Sequence, residues 1–255
     1  DWKWIIYSSE NRTASVKKTI MEFAMDVKLQ DMNYDQRKQA YKWVQEHFTI
    51  INNNQVYSYS DIILFMEKVM RQQPVDGIFV DPYNSLRLDM RNSGIGVHDY
   101  HYEAASEFLT FSTTNNVAVW LNMHAVTEAQ RRKGADNLPV APYAEDTEGG
   151  GKFVNRSDCF ITIHRKVQAP DHDIKKLSEI HIRKVREVET GGQPTPIDEP
   201  HKLVMNLSHT GFIGWLNRKP LFQPKVFNPP RTAVFPNMSF MTTLESEEEN
   251  THSEA

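Results

Sequence analysis

The chain has 255 residues, 39% of them hydrophobic and 24% charged, the composition of one large globular domain or two small ones rather than of a disordered, collagenous or coiled-coil protein. With 29 Lys and Arg against 33 Asp and Glu the net charge is -4, so no global basic field advertises nucleic acid and any such contact must be local. The single cysteine, Cys159, excludes an internal disulfide framework and a cysteine-built zinc site, and it suits a reducing compartment.

The longest apolar runs, Trp4 to Tyr7, Gly77 to Val80 and Val117 to Leu121, fall far short of the roughly 20 residues that span a bilayer, so no membrane partner is expected. The sequence opens at Asp1 with no Met, no basic n-region and no cleavable apolar stretch. That is not a secretory start, and it reads as a cut inside a longer protein.

In chain order, Trp4 to Ser8 is a short apolar run followed by Val16, Ile20, Phe23, Ala24 and Val27 at spacings of three and four, which predicts a strand and then an amphipathic helix. A second helix fits about Tyr34 to Phe48, Thr49 to Ile51 a brief strand, and Ser60 to Arg71 a third helix that stops before Pro74. Gly77 to Val80 reads as a buried strand ended by Asp81-Pro82, the proline holding Asp81 out of the helical region. Leu88 to Asp99 is a glycine-containing loop, Tyr100 to Thr113 a helix and Val117 to Met123 another buried strand. Glu128 to Lys152 carries Arg131-Arg132-Lys133, two prolines and Gly149-Gly150-Gly151, too long and irregular for a simple connection and therefore read as functional or mobile. Cys159 to His164, Glu179 to Val185 and Lys202 to Leu207 are β-rich runs without intervening helices, read as hairpins at a sheet edge. Prolines are frequent from Pro220, and Glu245 to Ala255 holds five glutamates and no Lys or Arg. Residues 219–255 are therefore expected to form an extended or disordered tail, with the folded domain at 1–218.

Apolar strands alternating with helices predict an α/β fold with a mostly parallel sheet, helices on both faces and C-terminal antiparallel hairpins that make the sheet mixed. In such sheets ligands lie beyond the carboxyl ends of the strands, so Glu10, Asp81 and His124, each following an apolar strand, should meet in one crevice. A carboxylate fixed by a strand suits Mg²⁺ held through water, which is the role for Asp81. Glu10 can polarise a water for in-line attack on a γ-phosphate, and His124 can donate a hydrogen bond to the same group. Singly, the Asp and the Glu read more readily as caps and the His as a satisfied core edge; together, on a parallel-sheet pattern, they point to a nucleotide site. No G-x-x-x-x-G-K-[ST] phosphate-binding loop occurs anywhere, and Gly149-Gly150-Gly151-Lys152-Phe153 has Phe where a hydroxyl belongs and no strand before it.

The ordered motifs Ile6 to Asn11 (IYSSEN), Phe79 to Asn84 (FVDPYN), Val119 to His124 (VWLNMH), Gly150 to Asp158 (GGKFVNRSD) and Arg183 to Arg186 (RKVR) resemble the RecA-type motor of DnaB-like hexameric replicative helicases, in the Twinkle-like, phage primase-helicase branch. The resemblance spans about Trp4 to Leu207. It implies an ATP-dependent, Mg²⁺-requiring DNA helicase of 5′-to-3′ polarity that works as a homohexamer on single-stranded DNA, beside a primase or primase domain, in a bacterial or phage-infected cytoplasm. Glu10 would be the catalytic carboxylate, Asp81 the Walker B metal residue and His124 the γ-phosphate sensor. Lys184 and Arg186 would reach the neighbouring subunit's nucleotide. Arg91, Arg131, Arg132 and Lys133 lie in the loops that line the pore in that family and are candidate contacts to DNA phosphates. This chain departs from the branch in following the sensor His with Ala125-Val126-Thr127-Glu128 instead of Pro and a nearby Lys. The first strand and the phosphate-binding loop of such a motor would lie upstream of Asp1. The rival reading is a catalytically silent RecA-like binding or oligomerisation module.

Overall fold

The computed structural model describes residues 2–89 and 96–221. They fall within one compact unit, residues 1–223; the second unit, 224–255, lies outside them, as does nearly all of the predicted tail. In order the elements are β1 (Trp4–Ser8), α1 (Thr13–Met25), α2 (Tyr34–His47), β2 (Phe48–Ile51), α3 (Tyr59–Met70), β3 (Gly77–Asp81), α4 (Val97–Asn115), β4 (Ala118–Leu121), α5 (Thr127–Arg131), α6 (Gly151–Arg156), β5 (Cys159–His164), α7 (His172–Lys176), β6 (Ser178–Val185), α8 (Val188–Gly191), β7 (His201–Met205) and β8 (Phe212–Gly214). None of the described helices is long and apolar enough to cross a membrane.

Among the described residues there are two four-stranded sheets, ordered β2-β1-β3-β4 and β5-β6-β7-β8. In the first, every pair is parallel, as expected where helices connect successive strands. The second is antiparallel throughout. This corrects the expectation of hairpins continuing the edge of one mixed sheet: the C-terminal strands pair among themselves. The runs are also not free of helices, since α7 and α8 sit between them. Both helices are of five residues or fewer, too short to leave a 3.6-residue periodicity.

The core sits under the parallel sheet. Ile5, Ile62, Met66, Ile78 and Val80 are fully buried, packed with Tyr7, Tyr83, Tyr100, Phe108 and Phe153, each large apolar side chain contributing about 1.5–3 kcal/mol. Helix starts follow their capping residues. Asn33 and Gln36 form a reciprocal capping box at α2, and Ser58 and Asp61 do the same at α3. Gly77 opens β3 because the Trp4 ring lies where a side chain would stand: a Cβ there would come within 2.4 Å of the indole.

Candidate active site

The parallel register sets the site. Trp4 to Ser8 run alongside Gly77 to Asp81, so Ser8 is the direct partner of Asp81, and Val80 is the partner of Leu121. Backbone bonds extend the ladder past the strand ends, from Ser9 N–H to Asp81 O at 3.0 Å and from Asn122 N–H to Val80 O at 2.8 Å. Glu10, Asp81 and His124 thus leave three neighbouring strands at the same end of the sheet.

Two of the three meet directly, His124 Nε2 lying 3.6 Å from Glu10 Oε1, both side chains about half exposed. The Asp81 carboxylate is fixed by its neighbours: Ser8 Oγ donates to Oδ2 at 3.2 Å, and the Asn122 amide donates to Oδ1. The Asp81-Pro82 peptide is cis. Asn84, the last residue of the FVDPYN run, accepts the backbone N–H of His124 on Oδ1 at 2.8 Å and donates through Nδ2 to Glu148. Glu148 in turn lies 3.9 Å from Nε2 of the buried His101, whose Nδ1 is 2.9 Å from the Tyr83 hydroxyl. Burial pushes His101 below the usual histidine range, with Glu148 opposing the shift, and burial raises the Tyr83 phenol. Gly149, with φ of +76°, lets the loop pass so close to His101 that a Cβ would meet that side chain at 3.0 Å.

Among the described residues no group of three or more His, Cys, Asp or Glu stands ready to hold a metal alone. One carboxylate oriented by two donors fits the usual manner of Mg²⁺ binding, in which water and phosphate oxygens take the remaining positions; Asp81 is the residue that would hold such an ion.

The other candidates are placed as follows. Lys184 donates to the carbonyls of Val154 and Ser157, at 2.5 and 2.8 Å. Arg186 pairs with Asp158 at 2.7 Å and donates to Asn155 O at 3.2 Å. Both cations therefore gather at the C-terminal end of α6, where exposed carbonyls attract positive charge. Burial first, and Arg186 second, lower the pKa of Lys184. Arg131 is exposed and 3.6 Å from Glu128. Arg132 pairs with Asp146 and lies over the Tyr143 ring, and Lys133 is exposed beside a backbone bridge to Pro139. Asp146 also accepts the Tyr143 N–H and its carbonyl accepts the Val126 N–H, so the 128–152 segment is a folded loop organised on one carboxylate. Arg91 lies outside the described residues. Sequence reasoning did not single out Ser8, Asn84, Asn122 or Glu148; the available signal was that the first three sit within the same strand-end motifs as the residues it chose.

No protein-family model matches the chain. It is 23% identical over 196 residues to the Twinkle homolog protein, chloroplastic/mitochondrial, of Arabidopsis thaliana, covering 72% of this chain and 26% of that protein. The structure superposes on a solved helicase ATPase domain with a TM-score of 0.64 at 14% identity, over 84% of this chain and 75% of that one. It superposes on a DnaB-like replicative helicase, solved in a study of its interactions with primase, with a TM-score of 0.65 at 14% identity, over 83% and 50% of the two chains. The fold is the RecA-type fold of DnaB-like helicase ATPase domains. Within it, the parallel sheet carries the strand-end residues and the antiparallel sheet carries Lys184 and, just beyond β6, Arg186. The RecA-type chain spans about a quarter of the curated relative that it matches.

Proposed function

We propose that the chain is the C-terminal part of the ATPase motor of a hexameric replicative DNA helicase, using ATP and Mg²⁺ to move along single-stranded DNA and separate duplex. The observation that carries this reading is the arrival of Glu10, Asp81 and His124 at one end of three adjacent parallel strands, with Glu10 and His124 in contact. Glu10 orients the attacking water and takes its proton, and His124 senses the γ-phosphate that the water attacks. Bound Mg²⁺ supplies charge neutralisation at the phosphates, and Asp81 is the residue that holds it. The Asn84 amide carries changes at His124 to Glu148 and the glycine loop. Arg131 and Lys133, with Arg91 and a released Arg132, contact DNA phosphates. Lys184 and Arg186 act on the next subunit's nucleotide, leaving their α6 carbonyls when the ring closes. No phosphate-binding loop motif occurs in the 255 residues; on this reading residues 1–218 are one portion of the motor domain and the phosphate cradle is supplied from outside them. The likeness to a DnaB-like helicase solved with regard to its interactions with primase supports a primase partner.

ATP turnover, with and without single-stranded DNA, tests this in the 255-residue chain and in the polypeptide extended through its upstream reading frame. Only the extended protein should turn over ATP, DNA should stimulate it, and Glu10→Gln should keep nucleotide binding while losing about 10²–10⁴ of the rate. Unchanged turnover in Glu10→Gln sinks the assignment of Glu10. No turnover in either protein hands the lead to the silent RecA-like module.

A further inference from the structure

The RKVR run holds one cation to which the motor reading gives no part, Arg183. Along β5 and β6 the pairing runs from Phe160 with Lys184 to Ile161 with Ile182, so Arg183 is the extra residue of a β-bulge. Bulges bend a strand and re-aim a side chain, and they are common beside functional sites. Here the guanidinium is turned onto the 128–152 segment: it donates to Pro142 O at 3.2 Å, and its Cζ lies 5.3 Å from the centre of the Tyr143 ring. Arg132 takes the same ring at 5.0 Å. The next residue, Lys184, is committed to the end of α6, and Arg186 to Asp158. One short stretch of β6 thus grips the segment that carries Arg131 to Lys133 and, beside it, the carbonyls that hold the trans pair.

The seam between the segment and β6 is not packed as a finished core. Among the described residues four buried side-chain nitrogens lack a hydrogen-bond partner: Nε of Arg132, Nε of Arg183 and both ring nitrogens of His181. His181 stands on β6 two residues before Arg183, with Glu179 at 3.7 Å, beyond hydrogen-bond length. Buried polar groups are normally paired, and each that is not costs the closed form its lost hydration. All four belong to side chains of β6 or to the one stacked with it through Tyr143, so lifting the segment returns Arg132 and Arg183 to water. Among the described residues Arg183 forms no ion pair that would offset this cost.

We propose that Arg183 and Tyr143 are positioning residues that make release of the 128–152 segment and release of Lys184 and Arg186 a single event. The inference rests on the motor reading above. When phosphates draw Arg132 away from Asp146, Tyr143 loses one of its two stacked cations and leaves Arg183. The bulge then relaxes, and Lys184 quits its carbonyls. A regular ladder would resist so local a shift, because each backbone pair holds its neighbours in register; the unpaired residue of a bulge is the joint at which it can occur.

Residue-resolved amide exchange on the 255-residue chain tests this, with and without an oligothymidylate of about 16 nucleotides. Without DNA, Tyr143→Ala and Arg183→Met should each speed exchange of the Val140 amide, which bonds Arg132 O at 3.1 Å, by about two- to fivefold, the range of one cation–π contact. The double variant should be no faster than the faster single one, because the two side chains act as a pair. With DNA, the Val140 amide and the Arg186 amide, which bonds Asp158 O at 2.8 Å, should speed up together. In either single variant the Arg186 amide should no longer respond, while Tyr143→Phe, which keeps the ring, should behave as the parent chain. The Asn122 amide should hold its rate throughout; acceleration there as well would mark a general folding role and overturn the proposal. It is also overturned if the double variant multiplies the two single effects, or if Tyr143→Phe fails to restore the response. If the chain binds no oligothymidylate, the DNA assignment itself fails and takes the proposal with it, whereas binding that moves Val140 but not Arg186 removes the proposal alone.

Discussion

Replacing Asn84 by Ala should loosen the carboxyl end of β4 without unfolding the sheet. The side chain makes two bonds, accepting the His124 N–H at 2.8 Å and donating to the Glu148 carboxylate. A neutral hydrogen bond contributes about 0.5–1.5 kcal/mol and one to a charged group about 1.5–3 kcal/mol. Water replaces much of each here, because the His124 and Glu148 side chains are 55% and 43% exposed, leaving about 1–2 kcal/mol of local restraint. That corresponds to a roughly five- to thirty-fold change in a local opening equilibrium. Residue-resolved amide hydrogen exchange measures it directly: the His124 amide should lose protection by this factor, while the Asn122 amide, bonded to Val80 O, keeps its own. Asn84→Asp, which retains the acceptor and repels Glu148, should preserve protection at His124. Unchanged exchange at His124 in Asn84→Ala would refute the restraint, and uniformly faster exchange through the β1–β3 ladder would show a global folding role instead.

Two further outcomes are open to measurement. In the extended protein, mixing equal amounts of Arg186→Ala and Glu10→Gln subunits should restore turnover at the roughly one quarter of ring interfaces that carry both intact residues; mixed rings no more active than either parent would remove the trans role of Arg186. Because burial depresses His101, and burial together with Arg183 depresses His181, the unfolded chain binds protons there that the folded chain resists. That stability is fully present above about pH 6.5 and falls as pH drops below it. Glu22 and Asp61 sit below the usual carboxylate range, Glu22 despite its burial and Asp61 through its bonds to Ser58, so their contribution is lost only at lower pH. The melting temperature should therefore decline between about pH 6.5 and 5, and His101→Phe should flatten part of that decline; an identical slope in the variant would show that His101 is not buried in its neutral form.

The parallel half of the fold was legible because its strands are short, apolar and separated by helices with clear periodicity. Trp4–Ser8, Gly77–Asp81 and the helix at 34–47 appear within a residue or so of where pattern and caps place them. The meeting of Glu10 with His124 was legible for the same reason, since the carboxyl ends of parallel strands share one edge. The three C-terminal strands and their antiparallel character were legible as well; that they form a sheet of their own was not, because strand patterns do not say which edge a strand joins unless the turn between partners is short. Here β5 and β6 are separated by α7 and a proline-containing loop, and β8, three residues ending at a glycine, is too brief to show alternation. The Asn84–Glu148 bond spans 64 residues, and no local spacing announces such a pair. Arg131-Arg132-Lys133 read as one basic patch, yet Arg132 turns inward to Asp146 while its neighbours stay exposed, a division that depends on tertiary contacts alone.

The rung that sets Ser8 against Asp81 has a kinetic meaning of its own. It lies at the terminal step of the ladder, and terminal steps open at far lower free energy than the rungs over Ile5 and Ile78. Opening of that step alone would release the carboxylate held by Ser8 and Asn122 while the core rungs stay paired. Heating should silence such a centre some degrees before it melts the protein, and any ligand that bridges the three strand ends acts as a clasp, suppressing the fraying that would otherwise limit its own residence.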